Sequence, residues 1–395
     1  MLYSSGFEVS HLWGLGMTRI PWYRNICWPI AAFIIPAHII AAVGTYFYAT
    51  HHGFTLSAIV IAVVFLFLTT FGISGGYHRL FAHGTYEAHP ILKIFYLLFG
   101  AASFESSALK WASDHRRHHA YIDEDQDPYN IKRGFWWAHI GWILTKDPSS
   151  QGISKVGDLQ RDKWIQFQHD YYALVAFPVG LGLPWALGWL CGDPWGGLII
   201  GGFLRIVFFY HATFSINSVA HMIGSQPYSD DDSARDSWVT AFLTMGEGFH
   251  NFHHTFSADY RNGVNPWEYD PTKWILNGFT VVGLAKNLIR TPEPVILKAK
   301  LRMQAKRAEA RLQAHPHAAE KLRIAREQLE RMLDTWNGIK AEWAEERARL
   351  KGRSDELIAK LKRDLAEHRA KYREAYAAWI VQLRNPHLLT APGAP

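Results

Sequence analysis

Three histidine clusters recur along this chain of 395 residues: His78 and His83 in HRLFAH, His115, His118 and His119 in HRRHH, and His250, His253 and His254 in HNFHH. Asn217 and His221, four apart in NSVAH, add a fourth element. Imidazole is the commonest metal-binding side chain, and packing alone does not call for it at repeated spacing. Positions i, i+3 and i+4 share one face of a helix, so each H-x-x-H-H segment predicts three rings directed into one pocket. His78 and His83 are five apart, about 140° around an α-helix, which predicts diverging rings, a helix end or two different ions. Nine histidines and one asparagine exceed the four ligands of a structural zinc. They suit two ions of about five ligands each, with open positions for chemistry. Iron, copper, zinc and nickel all accept imidazole, so ligand type leaves the metal open.

A ligating histidine usually gives its second ring N–H to a carboxylate or carbonyl. Asp114, beside His115, and Glu247, ahead of the last cluster, are the candidates by position. Asp123, Glu124, Asp125 and Asp127 in DEDQDP read mainly as a solvated turn. His11, His38, His51, His52, His89, His139, His169 and His211 stand mostly alone and read as ordinary core or surface residues.

The elements that must position these groups are apolar. Mean hydropathy is only −0.10, because an apolar region before residue 290 is averaged with a charged tail. Four stretches, 25–49, 54–73, 171–190 and 196–215, reach the roughly 20 apolar residues that a membrane span requires. The links between the first two and the last two hold no Lys or Arg, whereas Arg19, Arg24, Arg79 and residues 85–168 supply basic charge. The positive-inside rule then places both termini, the central loop and all the histidine clusters in the cytosol. Arg205 lies inside the fourth span and must face protein or a polar cavity. Residues 91–102 are apolar but too short to span, as for an interfacial or core helix.

From about residue 291 the composition changes. Residues 298–395 carry 22 Lys/Arg and 13 Asp/Glu, a net of +9, which leaves −3 on the rest of the chain. Leu322, Leu329, Trp336, Trp343, Leu350 and Leu357 recur every seven residues, the period of a long amphipathic helix or coiled coil. Pro316 marks a helix boundary, and Gly338 and Gly352 are weak points. The seam fits either a helical hairpin packed on the first region or self-association into a homo-oligomer. The expected fold is an all-α integral membrane protein: four transmembrane helices under a helical cap with a dimetal site in residues 1–290, and a long-helix extension in 291–395. Two cysteines, Cys27 and Cys191, exclude a disulfide framework and an iron–sulfur cluster held by this chain. No signal-peptide pattern opens the sequence, and the tail's positive charge is assigned to helix faces or anionic lipid, with no nucleic-acid partner expected.

The segments GISGGYHRLFAH, WASDHRRHH followed by DEDQDPYN, GFWWAHIGW, NSVAHMIGSQPY and GEGFHNFHHTFSADYR resemble, in order and spacing, the membrane fatty acid desaturase family and its acyl-CoA, stearoyl-CoA-like Δ9 branch. The resemblance covers roughly half of the chain. It implies two iron ions held by His78, His83, His115, His118, His119, His221, His250, His253 and His254, with Asn217 joining through water. It also implies an O2-dependent reaction that places a cis double bond in a saturated acyl chain, and a kinked apolar tunnel. Phe104, Trp111, Phe249 and Phe252 are candidate tunnel walls, and Ala62 and Leu66 on the second span are candidates for its blind end.

Two departures bear on partners. Relatives that use acyl-CoA often carry Arg where this chain has Ser113, which favours an acyl-lipid or acyl-carrier substrate. No HPGG signature of a cytochrome b5 segment and no dinucleotide-binding glycine motif is present. Neither haem nor flavin is therefore expected here, and electrons must come from a separate protein such as a ferredoxin or cytochrome b5. This points to a bacterial inner membrane. A di-iron membrane hydroxylase shares the histidine pattern and is the nearest rival. A metal transporter is more remote, since transport would place ligands near the bilayer midplane.

Overall fold

The computed structural model describes residues 25–148, 152–312, 315–349 and 355–385. Arg19, Arg24, His11, Leu350 and Gly352, which entered the sequence reading, lie outside the described residues. The first hairpin is α1 (Trp28–His51) and α2 (Leu56–Ala82). Next come α3 (Pro90–Ala101), α4 (Ala108–Ala120) and α5 (Lys163–Asp170). The second hairpin is α6 (Tyr172–Leu190) and α7 (Pro194–His221). The chain continues through α8 (Trp238–Leu243), α9 (His250–Thr255) and α10 (Pro271–Val281). It ends in α11 (Glu293–Arg311), α12 (Pro316–Arg349) and α13 (Asp355–Arg384). The only ladder of more than one bridge among the described residues pairs Glu87 with Lys286 and Ala88 with Ala285.

The four long apolar helices are those expected to cross the membrane, and two overrun their apolar stretches. α2 continues past Ile73 to Ala82 and α7 past Ser215 to His221, so each span carries ligand-type residues at its own end. Ile35, Ile39, Val43 and Phe47, spaced four apart on α1, stay exposed, as a lipid-facing stripe should.

Polar groups pin the spans together. At one end, Asp193 Oδ2 accepts from Tyr48 and Thr55 hydroxyls, each at 2.5 Å, while Oδ1 accepts from Gly196 N. One carboxylate thereby joins both hairpins. Arg205 is buried and donates to the carbonyls of Ala102 (2.8 Å), Gly180 (2.7 Å) and Gly201 (3.2 Å), so it faces protein, as the cost of a charge in lipid demands. Three of the histidines read as solitary form a chain. His38 Nε2 lies 3.2 Å from His211 Nε2, His211 Nδ1 lies 3.0 Å from His139 Nε2, and His139 Nδ1 lies 2.9 Å from Ser218 Oγ. They fasten α1 and the helical turn at 137–141 to α7.

The glycines of GISGG allow close crossing. A Cβ on Gly72 would stand 2.7 Å from the backbone nitrogen of Gly100, so α2 and α3 meet backbone to backbone there. α3 is the short apolar helix expected at 91–102, buried on one face through Leu92, Tyr96 and Leu97.

The tail folds against itself. Leu322, Leu329, Leu333 and Trp336 of α12 pack in one core with Leu301 of α11 and Tyr372 and Trp379 of α13. The first half of the seven-residue seam, Leu322, Leu329 and Trp336, is thus filled within the chain, whereas Leu357 stays exposed. Pro316 opens α12, and Gly338 does not interrupt it.

Gly72→Ala should force α2 and α3 apart and cost about 1–3 kcal/mol, the usual penalty of overpacking. Thermal unfolding of the detergent-solubilised protein measures this as a lowered midpoint.

Candidate metal centre

Each histidine comes from a different local device. His78 lies in the last part of α2, where residues 72–82 wind as π-helix. There the hydrogen bond runs from i+5 to i, and His83 N donates to His78 O at 3.1 Å. Residues five apart then stack, and the two ring centroids are 4.9 Å apart. The sequence expectation of diverging rings assumed α-helical winding; the wider turn brings them together.

The H-x-x-H-H segments also behave differently from the single-pocket expectation. Ring nitrogens of His78, His83, His115 and His253 lie within 4.8 Å of one another, and those of His118, His221, His250 and His254 form a second such group. Each triplet is shared between the two. His119 lies between them, its Nε2 2.9 Å from His253 Nε2 and its ring 4.5 Å from that of His254. α4 and α9 therefore each supply both groups, α2 ends in the first, and α7 ends in the second through His221. Asn217, one turn before His221, lines the adjoining cavity with His118 and His250.

The nitrogens face each other at close range. Nε2 to Nε2 separations are 3.0 Å for His78 and His253, 2.8 Å for His83 and His115, 3.1 Å for His221 and His250, and 2.9 Å for His250 and His254. A buried cluster of this kind disfavours protonation. Burial first, then the neighbouring rings, hold His83, His115, His119, His250, His253 and His254 well below the usual histidine range. Neutral rings offer lone pairs, and His118 Nε2 is buried with no partner among the described residues. That donor set fits two soft-to-borderline divalent cations such as iron.

Oxygen holds the outward nitrogens of three rings, those of His78, His118 and His221, and a carboxylate stands near a fourth, His254. Glu247 Oε2 is 2.7 Å from His78 Nδ1, and Glu247 also accepts from Ser74, from Arg79 at 3.0 Å and from Asn262 at 2.7 Å. Burial would raise that carboxyl, but His78 and Arg79 hold it down at about 2. Asp127 Oδ1 is 2.8 Å from His118 Nδ1. Asp232 Oδ2 is 3.6 Å from His254 Nδ1. Ser233 Oγ lies 2.7 Å from His221 Nδ1 and donates to Asp123 Oδ1 at 2.6 Å. Two residues of DEDQDP, read as a solvated turn, thus serve the site. Asp127 is 1% exposed, which only the tertiary fold determines. Asp114 does the opposite. It is buried, with its carboxyl raised to about 6 by that burial, and both oxygens meet Lys110 Nζ at 2.5 Å instead of a metal-facing histidine.

A cavity adjoins both histidine groups. Its walls include Ile73, Trp111, Tyr129, Trp142, Phe214 and Ile216, and His78, His115, His118 and His250 open onto it. Of the aromatic candidates, Trp111 lines this cavity and stacks 4.9 Å from His115. Phe104 stacks on Phe33 at 4.4 Å, Phe252 packs on Tyr228 and Phe256, and neither is among the cavity walls. Phe249 joins the bridge to Asp236 and is not among the cavity walls. Ala62 and Leu66 are half-buried: Ala62 packs with Tyr48, Ala58 and Ile200, and Leu66 against the main core. Sequence reasoning missed Glu105, a buried carboxyl on the cavity wall. It accepts from Trp111 Nε1 at 3.2 Å, and burial pushes it up to about 8 against the hydrogen bonds of Trp111 and Thr213. An acidic residue six positions before a tryptophan carries no pattern that would have marked it. Ser113 is fully buried and exchanges hydrogen bonds with Ser154.

Comparison with known proteins agrees with this geometry. The sequence profile of the family described as Fatty acid desaturase matches residues 54–280. Relatives include a "Probable acyl-CoA desaturase" of Schizosaccharomyces pombe, 41% identical over 72% of this chain and 59% of that protein, and "Acyl-CoA desaturase 1" of Saccharomyces cerevisiae, 41% identical over 64% of this chain and 50% of that protein. An "sn-1 stearoyl-lipid 9-desaturase" of Anabaena variabilis is 32% identical over 67% of this chain and 94% of its own length. The chain thus spans between half and three fifths of the two fungal relatives. The chain belongs to the fatty acid desaturase family.

Asp127→Ala should weaken binding of one metal ion by about 10- to 100-fold, the usual effect of losing a carboxylate behind a ligating histidine. Asp114→Asn should leave both affinities unchanged. Titration of the metal-free protein with Co2+, followed by its absorption spectrum, separates the two outcomes.

Proposed function

We propose that this protein is an O2-dependent fatty acyl desaturase that introduces a cis double bond, at Δ9, into a saturated acyl chain. The observation that carries the reading is the pair of four-histidine groups opening onto one apolar-walled cavity. His78, His83, His115 and His253, with His119, are assigned to one iron ion. His118, His221, His250 and His254, with Asn217, are assigned to the other. Iron bound there supplies the activation of O2 that removes hydrogen from two adjacent methylenes.

The remaining work belongs to the chain. Glu247, Asp127 and Ser233 hold Nδ1 of three rings, which turns Nε2 inward and fixes the tautomer. Ile73, Trp142, Phe214 and Ile216 supply the apolar wall that would keep water from an acyl chain in this cavity and hold its methylenes beside the histidine groups. The overall balance is one saturated acyl group, O2, two electrons and two protons giving one alkene and two waters. The electrons come from an external one-electron carrier protein such as a ferredoxin or cytochrome b5.

We assign the acyl donor to the CoA thioester class. The two fungal relatives carry that substrate in their names. Arg117, Arg133 and Lys155 line an open groove at the end of α4, where Asp147 pairs with Arg133 at 2.7 Å and Arg117 and Lys155 supply the remaining positive charge for a polyphosphate. This outweighs the absence of a cation at Ser113, whose hydroxyl is committed to Ser154.

Expression in a host without its own desaturase, followed by gas chromatography of the fatty acids, should reveal a mono-unsaturated product. A hydroxylated acid would sink the assignment. His118→Ala and His253→Ala, which strike different histidine groups, should each reduce product at least a hundredfold.

A further inference from the structure

The tail reaches the metal centre through the loop 226–233 and through Phe252 of α9. α11 lays Ile296, 4% exposed, against Tyr228 and Phe252, which lies between His250 and His253 on α9. Lys300 Nζ stands 5.0 Å above the Tyr228 ring, Lys306 pairs with Asp230 at 2.7 Å, and Arg307 donates to the carbonyl of Gln226. Four residues of α11 therefore grip the segment 226–230. The same segment is tied from below by Asn251, which accepts from Tyr228 N at 2.9 Å and donates to the carbonyls of Ser229 and Ala234.

Two residues just beyond that segment, Asp232 and Ser233, meet the histidines. Asp232 stands 3.6 Å from His254 Nδ1, and Ser233 stands 2.7 Å from His221 Nδ1 while held by Asp123. Both histidines belong to the group that contains His118 and His250. In the other group, the carboxylate behind His78 is Glu247, fixed by Ser74, Arg79 and Asn262. None of those residues is on α11 or on the loop 226–233.

Resting on the assignment of the histidines to two ions, we infer that α11 is a positioning element that acts more strongly on one ion than on the other: it clamps the loop 226–233, and the loop holds the ring of His221 and stands beside His254, while its link to the other group is Phe252 next to His253. Ile296 and Tyr228 are the positioning residues. The exposed Lys306–Asp230 pair adds little, because an ion pair in solvent contributes at most about 1 kcal/mol. The buried contact of Ile296 with Tyr228 and Phe252 carries the clamp.

The distinguishing property is selectivity between the ions. Full-length Ile296→Ala and Tyr228→Ala proteins, freed of metal and titrated with Co2+, should show one affinity lowered by about tenfold or more and the other within about twofold of wild type. Iron per chain in protein purified anaerobically should fall from two toward one. Ile296→Val, which keeps the contact, should bind as wild type does. Should Ile296→Ala fail to fold, Tyr228→Leu, which removes the ring beside Phe252 and beneath Lys300 but keeps apolar bulk, tests the same buried contact and should lower the same affinity. Two unchanged affinities in the folded variants, or two affinities falling together, would overturn the inference. Wild-type protein that binds a single ion would instead refute the underlying two-ion assignment.

Discussion

Nine imidazoles meet in the interior of the cap, eight of them with facing nitrogens 2.8–3.1 Å apart. Burial and the neighbouring rings hold most of these imidazoles neutral, and their inward nitrogens form a set of donors that a cation can gather. That constraint organises the surrounding molecule. The spans must deliver their ends to one place, and oxygen must stand behind the rings. Nearby cations such as Arg79 must be neutralised, which Glu247 and Asp270 do, each at 3.0 Å.

The membrane helices are the means of delivery. α2 and α7 do not stop where their apolar stretches end; they carry His78 and His221 to the site on continuous helix. Rigidity follows from the staples at both ends: Asp193 on one side, Arg205 and the chain of His38, His211 and His139 further along. The π-helical end of α2 is the local adjustment that lets a span present two histidines five residues apart as one pair.

The tail reads differently once its packing is known. Its seven-residue repeat predicts a partner helix but does not say whose. Here α11 and α13 fill its first half, from Leu322 to Trp336, and α11 also continues onto the loop beside α9. The charged extension is therefore a small helical unit with its own core whose first helix is shared with the region that holds the histidines.

From the sequence alone came the spans, the ligand types and the ten candidate ligand positions, because apolar run length and histidine spacing are local properties. Only the tertiary structure decided how each triplet divides between two groups, since that depends on where α4 and α9 cross, not on the spacing within either. The same holds for the carboxylates. Asp114 and Asp127 are both acidic neighbours of one histidine cluster, but the direction of a side chain and the closing of a loop send one to Lys110 and the other to His118. Glu105 and the cavity walls from α7 were invisible for a related reason: a cavity is the space left between elements, and no single segment encodes its shape.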